Sequence, residues 1–589
     1  MRGKHNKRNM LILGVFIGKD SGVALIENGF IRYAANEERF SRNKMHTGFP
    51  HLALRNMFAY TGVSPQNVQR IAFGGLSQPS EVETVGYAEG EIDPFRKKMG
   101  LVSRYLGGLM ETDFAYRLFL AFQRIRLDKS GIEAQLRSYD LSVPIHFIDH
   151  HLAHAYSAYF SAGFSNCLLY TSDGGGDGCS GGVYVASPAK VERIAYTPRI
   201  HSAGNFWMYI TILLGMDPWK HGGKVTGLAA YEPCREAYET LRKFYSFSSG
   251  RFHFINKNRL FLSPAIEHLR EIMKPYNPAQ IAYAAQKVLE ENMVGAVRAA
   301  VKKLGQNQLA LAGGTFGNVR LNQALFTLPE VQDGFVHPNM GDGGIALGAA
   351  YALWHQECTA EAADWVQNSS RMENAYLGPH FTEDEICAIL EGEGFIYDYY
   401  ENDLANVVAA ELSADKVVAY FAGRMEYGPR ALGHRSILYG AKEPAVNDWL
   451  NKRLKRSEYM PFAPVVTEET AHLYFNGLNQ LGRAARFMTV TCDCTPLMKQ
   501  RCPAAVHVDG TARPQILEKK ENPGLYAILE AYGALTGDPV VVNTSFNMHE
   551  EPIVHSPVDA LRAFTQGNLD VLVMERFVIR KSRNENRFN

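Results

Sequence analysis

No stretch of the 589 residues stays apolar for the roughly 18 positions that a membrane-spanning helix needs. The nearest, Met10 to Gly18, is ended by Lys19 and Asp20. Basic residues precede it (Arg2, Lys4, Lys7, Arg8), as in an export signal. No small-residue cleavage pattern follows, so the stretch reads as a strand. An excess of one charge is also missing: 61 Lys+Arg face 61 Asp+Glu, a formal net charge of +0. A neutral chain lacks the long-range field that draws nucleic acid or an anionic membrane surface, so neither is an expected partner. Cysteine is scarce, eight in all. Cys492, Cys494 and Cys502 cluster, but no paired C-x-x-C spacing occurs, and ordinary reduced thiols in the cytoplasm are expected. No low-complexity tract or long Pro/Ser linker separates the parts, so the domains should pack closely.

The composition, 46% hydrophobic and 21% charged, is globular. At about 100–200 residues per domain it fits two to four domains. Leu11 to Ile17 reads as a strand, and Val23 to Ile26 and Ile31 to Ala35 flank Asn28-Gly29, the strongest short hairpin signal. NCLLYTSDGGGDGCSGGVYVA has a similar build, with a strand reaching Asp173, a glycine-rich turn, and a return strand from about Gly182. Strand, acidic residue, small residues and return strand, twice, suggest a duplicated nucleotide-binding domain. Helices are expected around residues 111–139 and from Pro278 to Leu304. LALAGGTFGNVRLNQALF reads as strand, Gly313-Gly314, helix, where the glycines admit a ligand close to the backbone. The composition changes near residues 356–380. Beyond it, residues 381–395 and 402–413 read as helices and Lys416 to Phe421 as a strand.

Asp149 opens a helix carrying His150, His151 and His154. His150 and His154, at i and i+4, share one face with metal-chelating spacing; His151 and His154, at i and i+3, compete as the pair. Asp173 and Asp342, each beside glycines, could complete a divalent-metal site with oxygen ligands. Asp20 follows the first strand. Lys19, Lys44 and Lys224 are candidate phosphate or oxyanion partners. The C-terminal part is denser: Arg424, Arg430 and Arg435 in GRMEYGPRALGHRSIL, Lys455 and Arg456 before MPFAPVV, Arg513 in HVDGTARPQ, and Asn543, Thr544, Ser545 and Asn547 in NTSFN. Arginine forks and small hydroxyl or amide residues at loop–strand junctions suit a pocket for several phosphate groups.

In colinear order from about residue 11 to 580, KDSGVALIENG, EERFSRNK, DHHLAHAYSAYF, SDGGGDG, GGKVTGLAAY, LAGGTFGNVRLN, PNMGDGG, GPRALGHRSIL, MPFAPVV, HVDGTARPQ and NTSFN resemble the carbamoyltransferase family of nodulation-factor and antibiotic O-carbamoyltransferases, tobramycin carbamoyltransferase among them. The resemblance implies an α/β chain of two domains. Residues 10–358 would be similar to the tRNA threonylcarbamoyl transferase TsaD, a duplicated actin/Hsp70/sugar-kinase fold, and residues 375–582 to YrdC. It implies that the second domain forms carbamoyl adenylate from carbamoyl phosphate and ATP (with Mg2+), and that the first transfers the carbamoyl group to a hydroxyl of a small acceptor. The metal ligands implied are His150, His154, Asp173 and Asp342, holding Fe2+ or another divalent ion. Arg424, Arg430, Lys455, Arg456, Arg513, Asn543, Thr544 and Ser545 would hold ATP and carbamoyl phosphate. Lys44, Lys224, Gly313, Gly314 and Asn318 would hold the adenylate in the first domain, with Lys19, Asp20, Lys44 and Arg430 catalytic. Lys19 stands where relatives have histidine; to act as a base it needs burial or nearby positive charge to lower its pKa. Met460 and Gly222 replace an arginine and a glutamate of many relatives and mark a different substrate pocket. Acceptor choice would lie in inserts such as residues 85–135 and 190–220. Two other readings are a TsaD/YrdC-type tRNA enzyme, which predicts threonine and bicarbonate dependence and a basic surface, and a non-catalytic nucleotide-binding scaffold. A hydrogenase-maturation carbamoyltransferase would carry paired C-x-x-C motifs and an acylphosphatase domain, neither of which is visible. A homodimer is the default assembly.

Overall fold

The computed structural model describes residues 10–76, 127–368, 371–454 and 459–588. The apolar N-terminal stretch forms β1 (Leu11–Phe16), buried along its whole length because both faces of its sheet are covered. With β2 (Gly22–Glu27), β3 (Phe30–Asn36), β4 (Arg70–Gly74) and β5 (Ile145–Ile148) it makes a sheet in the order β3-β2-β1-β4-β5. The first three strands are an antiparallel meander, and β4 and β5 run parallel to β1 on its other side.

A second sheet repeats this plan strand for strand. It uses the meander β6 (Cys167–Gly176), β7 (Cys179–Ser187) and β8 (Lys190–Pro198). After a small hairpin of β9 (Tyr245–Ser248) and β10 (His253–Asn256), the parallel strands β11 (Gln308–Ala312) and β12 (Asp333–Val336) complete the order β12-β11-β6-β7-β8. The duplication that the two hairpin units suggest, and that the resemblance implies, is therefore present. One detail differs. The glycine run after Asp173 continues β6 to Gly176, and the chain reverses at Asp177-Gly178. Asp177 (φ 47°) and Gly178 (φ 87°) take the left-handed conformations that Asn28 (φ 51°) and Gly29 (φ 87°) take in the first sheet, though there the pair joins the second and third strands. The short polar side chain of Asn or Asp tolerates this conformation and glycine prefers it.

Helices His150–Ala162 and Ile345–Glu357 pack against each other and contact strands of the two sheets. A Cβ on Gly348 would lie 1.9 Å from the carbonyl oxygen of Ala153, so only glycine lets the two backbones come this close. That approach brings the loop before the second helix, with Asp342, to the start of the first, with its histidines. The Pro278–Leu304 helix forms as expected, with a capping box at Asn277 and Gln280 and Gly305 at its end. Of the expected helix around residues 111–139, Lys129–Arg137 is helical, and residues 111–126 lie outside the described residues.

The C-terminal part is an eight-stranded mixed sheet. Its strands are β13 (Asp398–Tyr399), β14 (Val418–Phe421), β15 (Arg435–Gly440), β16 (Ala463–Thr467), β19 (Gln515–Leu517), β20 (Val541–Ser545), β21 (Val571–Met574) and β22 (Phe577–Arg580); β17 (Cys492–Asp493) and β18 (Thr511–Ala512) pair separately. The order is β13-β22-β21-β14-β15-β20-β16-β19. The helices expected before it are Glu383–Gly392 and Leu404–Ser413. All eight cysteines are free thiols. No helix among the described residues is long and apolar enough to cross a membrane.

Candidate active site

Asp149 starts the histidine helix by accepting from the Leu152 N–H at 2.9 Å. Asp177 accepts from the main-chain N–H of His150 at 2.8 Å and from that of Leu76, which pins the helix start to the second sheet's turn. The competition between the two histidine pairs is thereby decided. His151 Nε2 faces the Cys179 carbonyl at 3.1 Å and its Nδ1 faces Thr171. His150 and His154 instead converge on two carboxylates. His150 Nε2 lies 2.8 Å from Asp173 Oδ2 and 3.7 Å from Asp342 Oδ1. His154 Nε2 lies 3.3 Å and 3.5 Å from the same atoms.

One ligand atom from each of these four residues falls within 4.8 Å of all the others. His150, His154 and Asp173 are buried, yet both ring nitrogens of His154 and Asp173 Oδ1 have no hydrogen-bond partner. Burying such atoms unsatisfied is costly, so converging donors of this kind fit a bound cation. Two imidazoles and two carboxylates suit a divalent transition metal. Burial alone would lower the His150 pKa, but Asp173, with Asp342 and Asp177 behind it, raises it to about 10. The Asp173 carboxyl is held far below its usual range: burial opposes this, and His151 and His150 overcome it.

Asp20 borders the cluster. Its backbone is left-handed (φ 63°), and its carboxyl is close enough to Gly343 that a Cβ there would lie 2.5 Å from Oδ2. Burial, then Glu38 and Asp342, raise its pKa well above the carboxylate range. The Asn36 amide holds the Asp20 carbonyl at 3.0 Å and accepts from Asn339 at 2.9 Å, tying the first hairpin to the Asp342 loop. Sequence reading misses Asn36, Asn339 and Asp177; only the Asp-Gly pair gives a signal. Lys19 lies with Nζ 3.4 Å from the ring centroid of Trp219. Burial pulls its pKa down to about 7; Lys220 adds to this, and Asp217, Asp342 and Asp20 oppose it. Of the conditions set for a lysine base, burial is the one that lowers the pKa here; the nearby carboxylates outweigh Lys220.

Gly313 (φ 107°) must be glycine, since a Cβ would lie 2.2 Å from the Ser172 carbonyl oxygen, whereas Gly314 faces open space. Asn318 has structural partners of its own at this turn. Its side chain caps the Val319–Phe326 helix and exchanges two hydrogen bonds with Gln286, at 2.8 and 3.1 Å. Lys224 is buried in the Gly222–Leu228 helix, and Lys44 is half-buried in the loop after the first hairpin.

Four motifs of the C-terminal sheet meet around Asn543. Its amide donates to the Ala431 carbonyl at 3.2 Å and to Gln515 Oε1 at 2.9 Å, and Gln515 donates to the Leu432 carbonyl at 2.6 Å. The strand after Tyr459-Met460 pairs with β20 through Ala463 and Asn543. The Arg430 loop, the Arg513 loop and the Asn543-Thr544-Ser545 strand are thus held together, with Gln515 as the joint that sequence reading misses. Lys455 and Arg456 lie outside the described residues. Arg424 does not join this group. Its guanidinium donates to the carbonyls of Gly378 (2.9 Å), Leu377 (2.7 Å) and Arg32 (3.2 Å). Arg435 is also structural: fully buried, it donates to the carbonyls of Ala422 and His434 and stacks 3.6 Å from the Phe421 ring centroid. Arg435→Ala would take the side-chain donor from the buried Ala422 carbonyl and the stacked guanidinium from Phe421, while the His434 carbonyl keeps the Ala422 N–H. A loss of about 3–5 kcal/mol is expected, read as a lower denaturant midpoint for the C-terminal transition.

The two regions adjoin. Tyr427 donates to the Gly343 carbonyl at 2.8 Å, and Arg39 to the Gly428 carbonyl at 2.6 Å. A Cβ on Gly227 would lie 2.7 Å from the main-chain nitrogen of Met460. Arg42 donates to the carbonyls of Pro552 and Ile553 at 2.7 and 2.8 Å.

Duplicated sheets carry a histidine–aspartate centre, and the mixed sheet beyond them gathers the Arg430, Arg513 and Asn543 segments. A model of the carbamoyltransferase N-terminus matches residues 11–351, and one of the carbamoyltransferase C-terminus matches residues 409–581. The chain belongs to the carbamoyltransferase family and is a carbamoyltransferase. It is 29% identical to the nodulation protein NolNO of Sinorhizobium fredii, over 95% of this chain and 79% of that protein. It is 31% identical to the nodulation protein NolO of Bradyrhizobium diazoefficiens, over 74% of this chain and 79% of that one. Among solved structures it is similar to full-length HypF in its phosphate- and nucleotide-bound form, at 14% identity and a TM-score of 0.32, covering 62% of this chain and 48% of that one.

Proposed function

We propose that this carbamoyltransferase works in two steps, with residues 375–582 making carbamoyl adenylate and residues 10–358 passing its carbamoyl group to the hydroxyl of a small acceptor. The convergence of His150, His154, Asp173 and Asp342 on one point, beside a loop that touches the Arg430 loop, is the observation that carries the reading. Atom balance fixes the first step. Carbamoyl phosphate gives up orthophosphate to water, and the carbamate oxygen then displaces pyrophosphate from the α-phosphorus of ATP. Arg430 and Arg513 would neutralise the charge that builds on the departing pyrophosphate, with the hydroxyls of Thr544 and Ser545 as further donors. AMP is the better leaving group for the second step and a handle for binding energy. There the acceptor oxygen attacks the carbamoyl carbon, the carbon–oxygen bond to AMP breaks, and Lys19 takes the acceptor's proton.

The four-residue centre fits Fe2+ or another divalent ion, which when bound supplies Lewis-acid polarisation. In this reading Asp20 and Lys44 act with Lys19 in the transfer, and Lys44, Lys224, the Gly313-Gly314 turn and Asn318 hold the adenylate. Incubation with ATP, Mg2+, Fe2+ and carbamoyl phosphate should yield AMP and an acceptor heavier by about 43 Da, one carbamoyl group in place of one hydrogen, from a panel of hydroxylated small molecules. AMP formation without any heavier product across the panel would remove the transfer half of the reading.

A base must be neutral to accept a proton, so it works above its pKa. With Lys19 near 7, the transfer rate should rise with pH through about 7 and level off above it. Lys19→Arg, which stays charged, should lose about 100-fold across that range. An unchanged profile in Lys19→Arg would assign the proton to another group.

A further inference from the structure

A chain of contacts runs from the nucleotide strand of the C-terminal sheet to Lys19. Ser545 ends β20, and its hydroxyl donates to Asn547 Oδ1 at 2.6 Å. The Asn547 amide donates to the carbonyls of Met548 at 3.0 Å and Glu551 at 2.6 Å, which fixes the loop that follows. Glu550 stands in that loop with left-handed backbone (φ 62°) and reaches the other domain. One carboxylate oxygen accepts from His221 Nε2 at 2.8 Å, and the other lies 3.0 Å from Lys220 Nζ. His221 Nδ1 accepts from the Asp217 N–H at 3.1 Å, so the tautomer that donates to Glu550 is the one this turn requires. The Asp217 carboxylate accepts from the main-chain N–H groups of Trp219 at 2.9 Å and Lys220 at 3.2 Å. Trp219, at the centre of the turn, lies against Lys19.

Nothing in the chemistry of either site needs Glu550 itself. Its side chain is 35% exposed, and ion pairs so exposed contribute little to stability. What the pair does is hold one geometry: the Asp217–His221 turn stays docked on the loop after β20 while Trp219 presents its face to Lys19. A base displaced by about an ångström can lose most of its effect without any change in binding.

We propose that Glu550 is a positioning residue that docks the Asp217–His221 turn on the nucleotide strand and thereby sets Trp219 against Lys19, coupling adenylate formation to transfer. This rests on the two-step reading above. With the turn undocked, adenylate already formed meets water instead of the acceptor. Water then attacks the carbamoyl carbon, the bond to AMP breaks, and carbamate is released and decomposes to carbon dioxide and ammonia.

The test compares wild type, Glu550→Gln, Trp219→Ala, Trp219→Phe and the Glu550→Gln/Trp219→Ala double variant, with ATP, carbamoyl phosphate and an acceptor found by the panel assay. Glu550→Gln should keep carbamoyl-phosphate-dependent ATP–pyrophosphate exchange within about twofold. Its kcat for transfer should fall about tenfold with the acceptor KM nearly unchanged, and the AMP released per carbamoylated product should rise several-fold. Trp219→Ala should behave alike, Trp219→Phe should recover most of the coupling, and the double variant should be no worse than the poorer single one. Wild-type coupling in Glu550→Gln, or additive losses in the double variant, would overturn the proposal and leave the two-step reading standing. Absence of exchange in the wild type itself would bring down both.

Discussion

His150→Ala is expected to stop carbamoyl transfer while leaving adenylate formation intact. His150 touches Asp173 at 2.8 Å and supplies one of the four converging ligand atoms, so its removal opens the centre on one side. Metal content per chain should fall sharply. Transfer should fall about 1000-fold or more, since a metal acting on a carbonyl or phosphoryl oxygen contributes several kcal/mol and each 1.36 kcal/mol is a factor of ten. Pyrophosphate exchange, assigned to the C-terminal sheet in the proposed reading, should stay within about twofold of wild type. The alanine also releases Asp173 from its closest imidazole. His151 and His154 remain within 3.6 and 3.3 Å, so the carboxylate is not left alone in the core and the chain should still fold. Transfer at the wild-type rate in a folded, metal-depleted variant would show that the centre is structural.

How much of this is legible without coordinates depends on whether the signal is local. The Asn28-Gly29 hairpin, the Pro278–Leu304 helix and the His150/His154 spacing are local: turn chemistry, a capping box and a 3.6-residue period each act within a few residues. The end of β6 is misplaced by sequence reading because a glycine run reads as a turn from its first residue, whereas here it continues the strand and Asp177-Gly178 makes the reversal. The competition between His150 and His151 cannot be decided from spacing, since it depends on the Cys179 carbonyl lying across the sheet from the helix.

The arginines show the same limit from the other side. Arg424, Arg430 and Arg435 share a glycine-rich neighbourhood and read alike in sequence. Tertiary partners separate them: Arg424 and Arg435 donate to main-chain carbonyls, which any arginine near a turn can do. Likewise the sequence gives no sign that Asn318 caps a helix and is met by Gln286 from a distant one. Polar residues beside glycine loops announce that a loop is built, and only the fold says whether it is built for a ligand or for itself.

Arg430→Ala should therefore differ from its two neighbours. Arg430 is half-buried on the Gly428–Gly433 loop, whose main chain is fixed on both sides of it. The carbonyls of Ala431 and Leu432 are held by Asn543 and Gln515, the Leu432 N–H by Glu426, and the Gly428 carbonyl by Arg39. A guanidinium carried on so constrained a loop needs little reorganisation to meet developing negative charge, the condition under which one donor contributes most. Carbamoyl-phosphate-dependent exchange should fall about 100- to 1000-fold in Arg430→Ala, with the unfolding midpoint nearly unchanged. Arg430→Lys keeps the charge and loses the planar fork, and should recover only part, leaving about a tenfold deficit. Arg424→Ala should do the reverse, lowering stability through the lost donors to the Gly378 and Leu377 carbonyls while each folded molecule exchanges at close to the normal rate. Normal exchange in Arg430→Ala would move the burden of the leaving pyrophosphate to Arg513 and the strand hydroxyls, and the loop's rigidity would then need another reason.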